Sequence, residues 1–238
     1  MKNIRLLHKW LSLVVAIQLL IWIGSGLFFN LMDSDKTSGN ENRRKISSHL
    51  VIDHQRLISP QFEQLKKEAQ SIKLITLLEQ PYYLLNHHQA LYRHLPNDYL
   101  LIHAYLGEVV IIDTLMAEAM ALTTYKGGNV VASVKKISPP IDDLPKEQND
   151  TWQVNIDDQL NTTIYLDAGS GQIISHVNDN KRFADFFFML HFMDYGSLGG
   201  FNNGPIIFFS MLMLLLSLSG FIWVIDLARK EGYKIVNR

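Results

Sequence analysis

The chain has 238 residues, 22 of them basic and 23 acidic, for a formal net charge of −1, and it contains no cysteine. The lack of cysteine excludes disulfides, Cys-ligated zinc, Fe–S clusters and thiol catalysis, and the near-neutral charge gives no electrostatic basis for nucleic-acid binding. Charge is unevenly placed: residues 10–32 and 195–225 hold no Asp, Glu, Lys or Arg, the two ends carry +3 and +2, and the middle carries 21 acidic against 15 basic residues.

In chain order, residues 1–10 form a basic terminus (Lys2, Arg5, Lys9) that leads into an apolar segment, 11–32. Its 21-residue stretch Leu11–Leu31 is long enough, at ~1.5 Å per residue, to cross a ~30 Å hydrocarbon layer. It exceeds the apolar region of a signal peptide, roughly 7–15 residues, and no A-x-A-like site follows, so it reads as an uncleaved helix. A second span, 205–225, opens with Pro205, which suits the first turn of a helix. Trp10, Trp22 and Trp223 lie near span ends, as ring anchors do at a membrane boundary. The basic flanks, 1–10 and 226–238, predict cytoplasmic termini, which places residues 33–204 in the periplasm, outside a bacterial inner membrane. Gly24, Ser25, Gly26, Ser210, Ser217, Ser219 and Gly220 let the spans pack on each other or on a second copy of the chain. Gln18 and Asn30 offer too little intramembrane polarity for a transport path.

Residues 33–57 read as a polar linker (33–44) and the start of a folded region. Ser59, Pro60 and Glu63 mark a helix start, with Phe62, Leu65, Ala69 and Ile72 at helical spacing. Short β-prone runs follow at 75–78, 82–86, 99–105 and 109–112. A second helix, 115–125, stops before Gly127 and Gly128, and further strands are expected at 130–137, 151–156, 162–166 and 173–177. Helix-then-strands therefore occurs twice, in units 58–113 and 114–180, and residues 100–112 align with 163–175 as strand, Gly turn and strand. Units of about 60 residues are marginal alone, so a shared core is expected. The expected fold class is α+β, with two transmembrane helices flanking the repeated unit. Phe183, Phe186, Phe187 and Leu190 give 181–196 the pattern of an interfacial amphipathic helix, too short to span.

The pattern W-x-V-x-I-D-D-x-x-x-x-T-I-Y-L-D-A-x-x-G-x-I, from Trp152 to Ile173, resembles the PepSY domain, and the earlier unit is a weaker copy of it. Arg5, His8 and Trp10, together with Arg182, Phe183, Asp185, Phe186, Met189, Leu190, His191, Asp194 and Tyr195, are similar to the flanks of membrane-anchored PepSY proteins. Ser170 stands where the family's turn carries Thr. The resemblance implies a tandem periplasmic α+β module. The family has been linked to peptidase regulation and, in relatives with more helices, to haem-dependent reduction in iron uptake.

Of nine histidines, His87, His88 and His94 fall in a loop-like stretch without nearby carboxylates and read as solvated surface, and no metal site is assigned. His8 and His191 each touch a membrane boundary and are the candidate ligands for haem b. They stand about a bilayer apart, ~30 Å, so a single haem iron cannot take both. Their plainer roles are an interfacial polar residue and a hydrogen-bonded member of a docking surface. Arg5, Trp10, Arg182, Asp185, Asp194 and Tyr195 are the expected membrane-interface and docking residues. The carboxylate pairs Asp142/Asp143 and Asp157/Asp158 sit in turns, and no G-x-S-x-G, H-E-x-x-H or phosphate loop occurs, so no catalytic residue is assigned. Two functions are expected from different classes. The first is a non-catalytic binding or regulatory module for a peptide, protease or envelope protein. The alternative is a haem-binding accessory subunit of an electron-transfer or iron-siderophore reduction system. Membrane lipid and a periplasmic or membrane protein are the expected partners, with homo-oligomerisation as a further option.

Overall fold

The computed structural model describes residues 2–44, 51–59, 68–128, 130–196 and 203–236. Its helices are α1 (Lys2–Leu31), the single turn α2 (Ser34–Thr37), α3 (Thr114–Thr123), α4 (Asp179–Phe192) and α5 (Gly204–Val236). Its strands are β1 (Ser71–Leu77), β2 (Gln80–His88), β3 (Asp98–His103), β4 (Val109–Val110), β5 (Val131–Ile137), β6 (Thr151–Ile156), β7 (Thr163–Asp167) and β8 (Ile173–Val177). The chain divides into a helical unit, Met1–Met32 with Asp185–Arg238, and an α+β unit, Asp33–Ala184.

In the helical unit α1 and α5 are each long and apolar enough to cross a membrane. Both begin or end beyond the apolar segments read from the sequence, because the basic flanks are good helix formers and carry the helix on. Asn203 caps α5, its Oδ1 accepting from Ile206 N at 2.9 Å. The outer faces leave large side chains uncovered, with Leu20 70%, Leu31 78% and Phe221 66% exposed, which water tolerates poorly and lipid does not penalise. The covered face of α1 runs through Val15, Gln18 and Ser25, spaced three and seven residues apart, the repeat that keeps one stripe against a neighbouring helix.

In the α+β unit two antiparallel sheets each follow simple chain order, β1-β2-β3-β4 and β5-β6-β7-β8. Asp113 caps α3 by accepting from Met116 N at 2.8 Å. The buried face of α3, Ala117, Met120 and Ala121, joins Trp152, Val154, Ile156, Ile164 and Leu166 of the second sheet and Tyr82, Leu84 and Leu101 of the first in one core. Leu85 and Ile102 are buried on the opposite face of the first sheet.

The eight strands fall on the β-prone runs, with three corrections. Ile72 belongs to β1 and not to a preceding helix, since the chain is extended from Ser71; the rest of that expected helix lies largely outside the described residues. His87 and His88 end strand β2 and do not lie in the loop. The two strand–turn–strand segments correspond with an offset of one residue from the alignment of apolar letters. His103 N donates to Glu108 O and Gly107 N to His103 O, while Asp167 N donates to Gln172 O and Gly171 N to Asp167 O, so residue 103 matches 167. Gly107 and Gly171 both take φ +71°, a left-handed value that glycine adopts without penalty. A one-residue slip exchanges the two faces of a strand, so turn geometry is the safer guide to register.

Residues 33–44 are more ordered than a linker. Asp33 caps α2, Arg44 N donates to Thr124 O at 2.7 Å, Lys126 N donates to Asn42 O at 2.9 Å, and Asn180 Nδ2 donates to Glu41 Oε2 at 3.0 Å. Gly39, at φ +73°, lies against the His176 carbonyl with no space for a side chain. The entry and exit of this unit are thereby tied to each other.

Candidate functional site

Within the helical unit, both histidines singled out from the sequence are seated on a Ser-Gly pair of a facing helix. His8 Nδ1 lies 2.9 Å from Ser219 Oγ, and a Cβ at Gly220 would come 3.0 Å from His8 Cε1. His191 Nδ1 lies 2.9 Å from Ser25 Oγ, and a Cβ at Gly26 would come 3.8 Å from His191 Cε1. Small residues were read as allowing close helix packing; here they accept a ring edge-on. Aromatic rings complete each seat, Trp223 at 5.6 Å from His8, and Phe29 at 6.2 Å and Phe192 at 5.1 Å from His191. The two seats lie near opposite ends of α1, at residues 8 and 25, about 26 Å apart at ~1.5 Å per residue.

Each serine also bonds to its own helix. Ser219 Oγ donates to Leu216 O at 2.8 Å, and Ser25 Oγ to Ile21 O at 2.7 Å, with Trp22 O at 3.2 Å. Among the described residues no partner is present on Nε2 of either ring. Between the seats, Gln18 is 5% exposed, and its Nε2 and the Nε1 of Trp22, a mid-helix residue and not the span-end anchor expected, are buried without a hydrogen-bond partner among the described residues. An open surface groove on α1 is lined by Lys9, Trp10, Ser12 and Leu13.

The remaining expected interface residues separate. Arg5 lies over the Trp223 ring at 5.7 Å and 3.8 Å from Asp226, and Trp10 is 58% exposed. Asp185 and Tyr195 are exposed, whereas Asp194 is buried just after Met193, whose positive φ ends the helix. Arg182 belongs to the α+β unit and is held there. It makes a two-pronged contact with Asp143, Nε to Oδ1 at 3.2 Å and Nη2 to Oδ2 at 2.9 Å, and its Nη1 reaches Asp179 Oδ1 at 3.2 Å and Asn161 O at 3.0 Å.

The turn carboxylates prove to have partners that sequence spacing did not show. Burial alone would raise the Asp143 pKa, but the bonds from Arg182 and from Tyr165 Oη outweigh it and hold the carboxyl below its ordinary range. Asp158 behaves alike: burial works against it, while Thr162 and Tyr125 donate to Oδ2, each at 2.6 Å, and keep it ionised. Burial in turn raises the phenols of Tyr165 and Tyr125. These pairs lock the turns in which the carboxylates sit. His176 is 1% exposed in β8 with Nε2 2.8 Å from Thr124 Oγ1.

No protein family, curated protein or solved structure matches this chain.

Proposed function

We propose that the protein is a two-span protein of a bacterial inner membrane that holds haem b through His8 and His191, acting as an accessory subunit in electron transfer or iron reduction, with a PepSY-like α+β unit on the periplasmic side. The observation that supports this is the repeated seat: two imidazoles at opposite ends of the spans, each bonded at Nδ1 by a serine and flanked by apolar rings. The donor set fits the group, since haem iron takes axial imidazole and the surroundings are apolar. Bound haem supplies one-electron redox chemistry. With about 26 Å between the seats, each histidine serves a separate site. Arg5 and Trp10 anchor the cytoplasmic boundary of α1. The absorption spectrum of the full chain, purified in detergent after haem supplementation, tests the reading. A Soret band that is reduced in His8→Ala and in His191→Ala supports it; no band from folded protein would remove it.

A second reading draws on the sheet edges. Strand β1 pairs with β2 alone among the described residues and exposes Ile72 and Leu74, 43% and 38%, while β5 carries a bulge and the exposed Lys135 and Lys136 that discourage pairing. An extended peptide or an envelope protein adding a strand to β1 would make the unit a non-catalytic binding module. Photo-crosslinking from position 74 in cells captures such a partner, and capture only by a control position on β5 would defeat this reading.

A further inference from the structure

We propose that Ser219 and Ser25 are positioning residues that hold His8 and His191 in the Nδ1–H tautomer, so that each ring presents a bare Nε2 lone pair to a Lewis-acidic ligand, a metal centre with an open axial position. The assignment is a count of protons. A serine hydroxyl has one proton to donate. Ser219 spends it on Leu216 O and Ser25 on Ile21 O, so each oxygen faces its imidazole as an acceptor. With the hydroxyl proton committed to the carbonyl, Nδ1, at 2.9 Å in both cases, is assigned as the donor. A neutral imidazole carries one ring proton, which leaves Nε2 unprotonated. Metal-bound histidines depend on this kind of outer partner, which fixes both the tautomer and the ring direction.

The device is built twice from separate parts of the chain. In both copies Ser precedes Gly, the hydroxyl takes Nδ1, and the absent glycine side chain leaves the ring edge room to approach. A serine that merely filled a helix interface would have no reason to recur with the same orientation of a histidine. The locks are independent, since their centres lie far apart along α1. The identity of the ligand rests on the haem reading above; the tautomers do not.

The test uses the full chain with 15N-labelled histidine in lipid bilayers at pH 8. His8→Gln and His191→Gln assign the imidazole signals by their loss. The wild-type rings are expected in the neutral Nδ1–H form. Ser219→Ala moves the His8 signals toward the Nε2–H form and leaves His191 unchanged, Ser25→Ala does the reverse, and Ser→Thr at either position restores the wild-type signals. Each Ala variant weakens ferric haem binding at its own site by about 10-fold or more. Wild-type rings in the Nε2–H form, or signals unmoved by the Ala variants, would overturn the proposal. Intact tautomers with no haem uptake would overturn the haem reading instead and leave the serine locks standing.

Discussion

His176 sets a pH dependence in the α+β unit that can be worked out in advance. Burial, and secondarily the nearby charge of Arg43, push its pKa from 6.5 down to about 4. The ring is 1% exposed and bonds through Nε2 to Thr124 Oγ1, which itself donates to Ala121 O at 2.8 Å. Between pH 6.5 and 4 the unfolded chain takes up a proton that the folded chain refuses, so stability rises with pH across that window. The contribution is fully present above pH 6.5 and is lost as pH falls toward 4; the difference between the two values corresponds to about 3 kcal/mol as an upper bound. Asp143 and Asp158, held below the ordinary carboxylate range, contribute stability that is lost only at still lower pH, so they do not obscure the effect. Urea unfolding at pH 7.5, 6, 5 and 4.5 measures it, with Trp10, Trp22 and Trp223 replaced by Phe so that the buried Trp152 reports on this unit. His176→Leu should remove most of the slope above pH 4.5. Equal slopes in the two proteins would refute the assignment.

Two further outcomes follow. A Cβ at Gly171 would lie 3.0 Å from Ile112 Cδ1, 3.1 Å from Met120 Sδ and 3.2 Å from Leu77 Cδ1 at a left-handed φ, so Gly171→Ala should cost about 2–4 kcal/mol, whereas Gly107→Ala, with the same φ and only Ile58 at 3.7 Å, should cost about 1–2 kcal/mol in the same unfolding assay. The absence of cysteine makes the topology directly measurable: Val51→Cys, at a site 91% exposed, should react with a membrane-impermeant maleimide in cells opened only at the outer membrane, and Arg229→Cys only after lysis. The opposite labelling pattern would invert the proposed orientation.

Strands of the second sheet were legible because Ile, Val and Thr cluster between turn residues such as DAGSG, those of the first from short runs of Tyr, Leu and Ile, and the spans because uncharged runs of that length are rare in water-facing chains. What could not be read depends on residues far apart in the chain. The Ser-Gly pairs of both spans were visible, but their histidine partners lie 166 and 211 positions away. Asp143 finds Arg182 and Asp158 finds Tyr125 only after the sheet forms. For His176 the signal was hidden: it pairs with Ile164, a core residue, but the bulge opposite Tyr165 and Leu166 breaks the alternation that would otherwise set it on the face opposite Ile173. The stretch 33–44 has a linker's composition, yet its backbone is claimed by Thr124 and Lys126, which polarity alone does not foretell.

That stitching has a mechanical meaning. A pull delivered through both ends of the α+β unit reaches the Glu41–Asn180 and Asn42–Lys126 bonds first, before it loads the strand ladders. Tension on the two tethers is therefore borne first by a few short bonds close to the entry and the exit, and passes to β8, the strand nearest the exit, only after they part.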